Sequence, residues 1–101
     1  MRMLMHVKLP PEPFNSLVKS GAAGGKIKGI LEAIKPEQVY FTEYDGKRGA
    51  ILVIDLKDPS EVPAMAEPWF LVFDATVEMH IAMTAEELEK GGIDTLGKKW
   101  A

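Results

Sequence analysis

The stretch Val39-Tyr40-Phe41-Thr42-Glu43-Tyr44-Asp45-Gly46-Lys47-Arg48-Gly49-Ala50-Ile51-Leu52-Val53-Ile54-Asp55-Leu56 decides the fold. It reads as two strands, 39–44 and 48–56, folded about Asp45-Gly46. Asp-Gly is a favoured pair for a two-residue hairpin loop, because both central residues of such a turn take positive φ. A two-residue loop fixes the register. Tyr44 faces Lys47, Glu43 faces Arg48, Phe41 faces Ala50 and Val39 faces Leu52. Side chains alternate between the faces of a strand. One face of the hairpin therefore carries Val39, Phe41, Ala50, Leu52, Ile54 and Leu56, with Glu43 and Arg48 near the turn. The other carries Tyr40, Thr42, Tyr44, Ile51, Val53 and Asp55.

On the amino-terminal side, Phe14, Leu17, Val18, Ile27, Ile30, Leu31 and Ile34 recur at three- and four-residue spacing. They share one side of a helix predicted over 11–34, and Pro11 suits its first turn. Ser20-Gly21-Ala22-Ala23-Gly24-Gly25 interrupts it. Each glycine costs about 1 kcal/mol relative to alanine in a helix interior, so the run marks either a break or a close approach of backbones. It lacks the Gly-Lys-Ser/Thr ending of a phosphate-binding loop. Further upstream, Met3, Met5, Val7 and Leu9 alternate with Leu4, His6 and Lys8. That pattern is a strand with two different faces over 3–9. Pro10, Pro11 and Pro13 end it, since proline lacks the amide that a ladder needs.

On the carboxyl-terminal side, Asp58-Pro59-Ser60-Glu61 starts a helix. Asp58 caps it and Glu61 completes a capping box, with Ser60 the alternative cap. Val62, Met65, Ala66 and Trp69 form its apolar side, and Pro68 is expected to limit its length. Val77, Met79, Ile81 and Met83 then alternate with Thr76, Glu78, His80 and Ala82, predicting a fourth strand over 75–83. Thr84-Ala85-Glu86-Glu87 is a second capping box that opens a short helix, stopped by Gly91 and Gly92. Ile93, Leu96 and Trp100 fall at helical spacing in the remaining tail, so 84–101 forms a carboxyl-terminal helix and tail expected to dock on a surface.

The order strand, helix, strand, strand, helix, strand is the split βαβ arrangement of a ferredoxin-like α+β sandwich. It predicts a four-stranded antiparallel or mixed sheet with both helices on one face, in one domain of 101 residues. The crossover rule is read as placing strands one and three side by side and parallel, with strands four and two outside them. The composition, 47% hydrophobic and 27% charged, fits a globular protein. Twelve basic residues against 15 acidic give a net charge of −3, and the lysines are scattered without interleaved aromatics. Nucleic acid is therefore not an expected partner. There is no cysteine, which excludes disulfides, Cys-ligated zinc, iron–sulfur clusters and thiol nucleophiles. His6 and Lys8 interrupt the opening residues before a signal peptide could form, and no stretch approaches the about 18 apolar residues of a membrane span. A cytoplasmic protein without membrane association is expected.

Two stretches carry a resemblance. Met3-Leu4-Met5-His6-Val7-Lys8 resembles the first strand of the dimeric α+β barrel superfamily, near its muconolactone isomerase-like and uncharacterised bacterial members. Glu67-Pro68-Trp69-Phe70-Leu71-Val72-Phe73-Asp74, followed by Thr76-Val77-Glu78-Met79, is similar to the passage from helix to last strand in those proteins. The resemblance covers about residues 2 to 88. It implies a homodimer, or a higher oligomer, formed through the open face of the sheet. It also implies small-molecule chemistry, since members include cofactor-free oxygenases, lactone isomerases, polyketide cyclases and haem degraders. No catalytic motif matches residue by residue, so the site candidates come from the strand pattern alone.

If the apolar faces pack on the helices, the opposite face collects Leu4, His6, Lys8, Tyr40, Thr42, Tyr44, Ile51, Val53, Asp55, Glu78 and His80. Strands one and four are neighbours, so His6 and His80 lie close together with Glu78 beside them. An imidazole near a carboxylate suits proton transfer, because histidine titrates near neutral pH. Tyr40 and Tyr44 could hold or protonate a phenolic ligand. The catalytic candidates are thus His6, His80, Glu78, Tyr40 and Tyr44. The histidines and tyrosines also have structural uses. The histidines can hydrogen-bond across a subunit interface, and tyrosines are common interface residues. His6, His80 and Glu78 have the donor types of a metal site, but their spacing is non-local, and no metal or cofactor is expected. Asp55 is expected to cap the turn that follows it. Two function classes stand: a small enzyme of isomerase, cyclase or cofactor-free oxygenase type acting on a small cyclic or aromatic compound, and a non-catalytic ligand-binding or structural homodimer module.

Overall fold

The computed structural model describes residues 1–101. β1 spans Arg2–Lys8, α1 Pro11–Lys19, α2 Ala23–Ile34, β2 Gln38–Tyr44 and β3 Lys47–Asp55. A 3-10 turn at Pro59–Glu61 leads into α3, Val62–Phe73, followed by β4, Thr76–Ile81. Two short helices close the chain, α4 at Ala85–Lys90 and α5 at Ile93–Lys99. The four strands form one sheet in the order β2-β3-β1-β4. This is the ferredoxin-like α+β fold. Every neighbouring pair is antiparallel, which corrects the parallel pairing of strands one and three. The crossover through α1 and α2 makes β1 and β2 run the same way, and the tight hairpin then reverses β3 against both.

The hairpin has the register that its loop dictates, with Glu43 opposite Arg48, Phe41 opposite Ala50 and Val39 opposite Leu52. Asp45 (φ 52°) and Gly46 (φ 77°) both take the left-handed conformation. The Gly46 amide donates to Glu43 Oε2 at 2.8 Å. At the other end of β3, the Asp58 box closes as its sequence suggests. Asp58 Oδ1 accepts from the Ser60 amide at 2.9 Å, and Glu61 Oε1 accepts from the Asp58 amide at 2.8 Å. Asp55 does not cap this turn. Its carboxylate receives the Met1 amino group at 3.1 Å.

Met5, Val7, Leu52, Ile54, Trp69 and Phe73 are fully buried between the sheet and the helices. Phe73 stacks near Phe14 and Trp69, at ring-centroid distances of 5.1 and 6.0 Å. The buried Trp69 Nε1 has no hydrogen-bond partner. An unpaired buried donor costs about 1–3 kcal/mol, which the indole's own burial offsets.

Four elements differ from the pattern read in the sequence. The predicted first helix is two helices, broken where Gly21 takes φ 78°. Gly24 and Gly25 lie on the exposed side of α2, and a Cβ on either would meet nothing within 4 Å, so they are not sites of close backbone packing. Pro68 does not end α3, which continues to Phe73. One missing amide is outweighed there by the burial of Trp69 and Phe73 on the following turn. β4 stops at Ile81, which is exposed, as is Met83 beyond it. The helices also leave the hairpin end of β2 uncovered. Phe41 is 53% exposed although Ala50 and Leu52 beside it are fully buried.

The carboxyl-terminal segment leaves the body. α4 begins with the expected box, the Glu87 amide donating to Thr84 Oγ1 at 3.1 Å and the Thr84 amide to Glu87 Oε1 at 2.9 Å. α4 and α5 project as an arm, with Leu88, Ile93, Leu96 and Trp100 exposed. The molecule therefore measures 59 × 29 × 19 Å, with a radius of gyration of 17.0 Å. A compact chain of this length has about 13 Å. No helix is long and apolar enough to cross a membrane.

Candidate functional site

Strand alternation sends Tyr44, His6, Lys8, His80 and Glu78 to the face of the sheet away from the helices. The registers then bring them together. His6 on β1 sits opposite Glu78 on β4, and Leu4 sits opposite His80. On its other side His6 faces Ile51 of β3. Tyr44 begins one strand further out, at the turn end of β2. Its ring crosses β3, and its hydroxyl meets His6 Nδ1 at 2.9 Å.

The remaining contacts link the five side chains in a loop. The His6 and His80 rings meet edge to face, with centroids 5.3 Å apart and planes at 81°. His80 Nε2 lies 3.4 Å from Glu78 Oε2. Lys8 Nζ donates to the other carboxylate oxygen of Glu78 at 3.1 Å and stands 5.6 Å from the centre of the Tyr44 ring. His6, Lys8 and Tyr44 are half-buried, while Glu78 and His80 are exposed. The hydrogen bond from Lys8, and after it that from His80, holds the Glu78 carboxyl below its ordinary pKa. Glu78 is thus kept as an anion that fixes Lys8 and His80 on either side.

Of the five candidates, His6, His80, Glu78 and Tyr44 converge. Tyr40 does not. It shares their face but lies opposite Ile51, is 60% exposed, and makes no side-chain hydrogen bond. Two contributors were not among the candidates. Lys8 has the correct strand parity for the cluster, and Gly49, inside β3, is a glycine in a strand interior, a mark of close approach by another group. Chemically, the cluster offers a phenol, two imidazoles, a carboxylate and an ammonium group, all able to donate, accept or orient protons. No group of three or more His, Asp or Glu is arranged to hold a metal ion.

Two clefts open at the hairpin end of the sheet. One, of about 220 Å³, borders the cluster through Tyr44 and Lys8 and is further lined by Leu9, Pro10, Lys47 and Thr76. The other, of about 340 Å³, lies round the edge between Pro11, Asn15 and Arg48. Neither lies between the helices and the sheet, where the buried side chains fill the space.

No protein-family model matches this chain, and no curated protein sequence matches it. Solved structures do match. One is the 5-chloro-2-hydroxyhydroquinone dehydrochlorinase TftG of Burkholderia phenoliruptrix, in complex with 2,5-dihydroxybenzoquinone. The two are 18% identical with a TM-score of 0.59, over 85% of this chain and 97% of that one. At that identity the likeness concerns the fold.

Proposed function

We propose that the chain is a small-molecule enzyme that moves protons on a small cyclic or aromatic compound. Tyr44 and His6 are its proton-transfer pair, with His80 and Glu78 as a second pair beside them. The observation that supports this best is the 2.9 Å contact between the Tyr44 hydroxyl and His6 Nδ1, made within a cluster of three further ionisable groups. A phenol and an imidazole so joined can pass a proton between themselves and a bound ligand, as isomerases, cyclases and cofactor-free oxygenases require. The cleft of about 220 Å³ beside Tyr44 and Lys8 supports a small ring as the occupant. The dihydroxybenzoquinone held by TftG supports hydroxylated rings as the first compounds to try. Chemistry of the muconolactone isomerase-like kind, in the cytoplasm, belongs to the same reading.

The proposal includes a homodimer, or a higher oligomer, built through the open sheet face. That face carries half-buried Leu4, Ile51 and Val53 beside the polar cluster, the mixture of apolar centre and polar rim that suits a subunit interface. A second copy placed over it would enclose the cluster. One observation favours the non-catalytic reading instead. The space between helices and sheet is filled, so the fold has no chamber of its own within one chain.

An assay separates the two. A panel of hydroxylated aromatics, lactones and quinones is incubated with the wild type, His6→Ala, His80→Ala and Tyr44→Phe, and products are followed by mass spectrometry. Turnover by the wild type should fall about 100-fold or more in His6→Ala and Tyr44→Phe, with the fold intact by circular dichroism. Tyr40→Phe, outside the cluster, should keep wild-type turnover. Binding without turnover would support the non-catalytic module. Turnover unchanged in every variant would remove the cluster from the reaction.

A further inference from the structure

Tyr44 starts on β2 and His6 on β1, with the whole of β3 between them. Two strand spacings amount to roughly 9.5 Å. A tyrosine spans that gap only if its ring lies down across the middle strand, which a side chain on that strand would prevent. The residue under the ring is Gly49, opposite Thr42 on β2 and Lys8 on β1. Its backbone does not call for glycine. Gly21, Gly46 and Gly92 take positive φ, and Gly49 does not. What calls for glycine is the space. A Cβ at position 49 would overlap Tyr44 Cδ2 and lie 2.6 Å from Cε2, with the Val7 carbonyl oxygen 3.0 Å away. Ordinary carbon contacts are about 3.5–4.0 Å. The ring is the mobile partner, so the ring would have to lift.

We propose that Gly49 is the positioning residue of the Tyr44–His6 pair: the missing side chain opens a trough across β3 through which the Tyr44 hydroxyl reaches His6 Nδ1. This deepens the proposed activity, which rests on the same pair, yet it concerns the resting protein and needs no substrate to be tested. It also gives the pair a direction. A phenol is a better proton donor than a neutral imidazole, so Tyr44 donates to Nδ1 and His6 keeps its own proton on Nε2. The ring nitrogen facing away from Tyr44 is then the one that meets a ligand.

Long-range proton–nitrogen NMR of the full chain tests this. In the wild type, the Tyr44 hydroxyl proton should be protected from exchange and correlate with His6 Nδ1. Tyr44→Phe removes that signal by construction. Gly49→Ala should remove it too, while the backbone amides of β2 and β3 keep their hydrogen-bonded shifts. Survival of the correlation in Gly49→Ala would overturn the proposal. A second comparison covers the case in which Gly49→Ala folds poorly. With the ring gone in Tyr44→Ala, adding Gly49→Ala should lower the melting temperature less than it does in the wild type, because only the 3.0 Å approach to the Val7 carbonyl oxygen remains. An equal drop in both backgrounds would mean that the new methyl group clashes with backbone rather than with the ring, and would also overturn it. Absence of the correlation in the wild type would sink the pair itself, and the proposed activity with it. Failure to find a substrate would leave the correlation, and this inference, standing.

Discussion

Glu78 joins the two halves of the cluster, taking Lys8 on one carboxylate oxygen and His80 on the other. Both bonds favour its anion, and that of Lys8 contributes most. A carboxyl whose pKa falls on folding stabilises the fold above its unfolded pKa, and that contribution is lost as pH drops through the folded value. The cluster should therefore be ordered at neutral pH and loosen at acid pH. Lys8→Met should raise the Glu78 pKa towards the ordinary glutamate range, read from its side-chain carbon shift in an NMR titration. An unmoved pKa would show that the ion pair is absent in solution. Because the pair is exposed, its effect on overall stability should be small. Most of these residues were legible in the sequence. Strand parity alone placed His6, His80, Glu78 and Tyr44 on one face. Parity cannot say how far a side chain reaches along that face, so Tyr40 stood equal to Tyr44. What separates them is the empty position at Gly49, whose meaning depends on which strand lies between two others.

At the scale of elements, local chemistry was the reliable guide. Asp45-Gly46 set the turn and so the register of the whole hairpin, and both capping boxes formed. Gly46→Ala should destabilise the protein by about 1–2 kcal/mol, the cost of forcing a side chain into the left-handed conformation, measured by urea unfolding. Equal stability would contradict the positive φ at that position. Non-local features were harder to read. The break in the first helix falls at Gly21, where the chain needs positive φ, but nothing in the run Gly21 to Gly25 marks one glycine above the others. Pro68 looked like an end because the gain from burying Trp69 and Phe73 is a property of the packed core, not of the local chain. The crossover makes β1 and β2 run the same way and the hairpin reverses β3 against β2, so β1 and β3 pair antiparallel rather than parallel.

The whole molecule is unbalanced as a single chain. One sheet face is covered by helices, the other lies open with Leu4, Ile51, Val53 and the polar cluster on it, and the arm of α4 and α5 extends from the body with Trp100 79% exposed. Apolar surface of this kind is more than a single folded chain usually exposes. If two copies meet through the open faces, Val53→Glu places like charges at the centre of the contact and should convert the pair to single chains. Removal of 85–101 should weaken the pair if the arms lie across it and leave it unchanged if they do not. The apolar patch and the apolar tail were legible in the sequence, but the projection of the tail was not, because its helical spacing does not say what it packs against. Under the proposed function, the open face, with Tyr44 and His6 on it, is an internal working surface closed by a second copy. Sedimentation equilibrium of the full chain at micromolar concentration tests it most directly. The expected result is twice the 11.1 kDa of one chain, or a mass rising towards that value with concentration. A mass of 11.1 kDa at every concentration would contradict it.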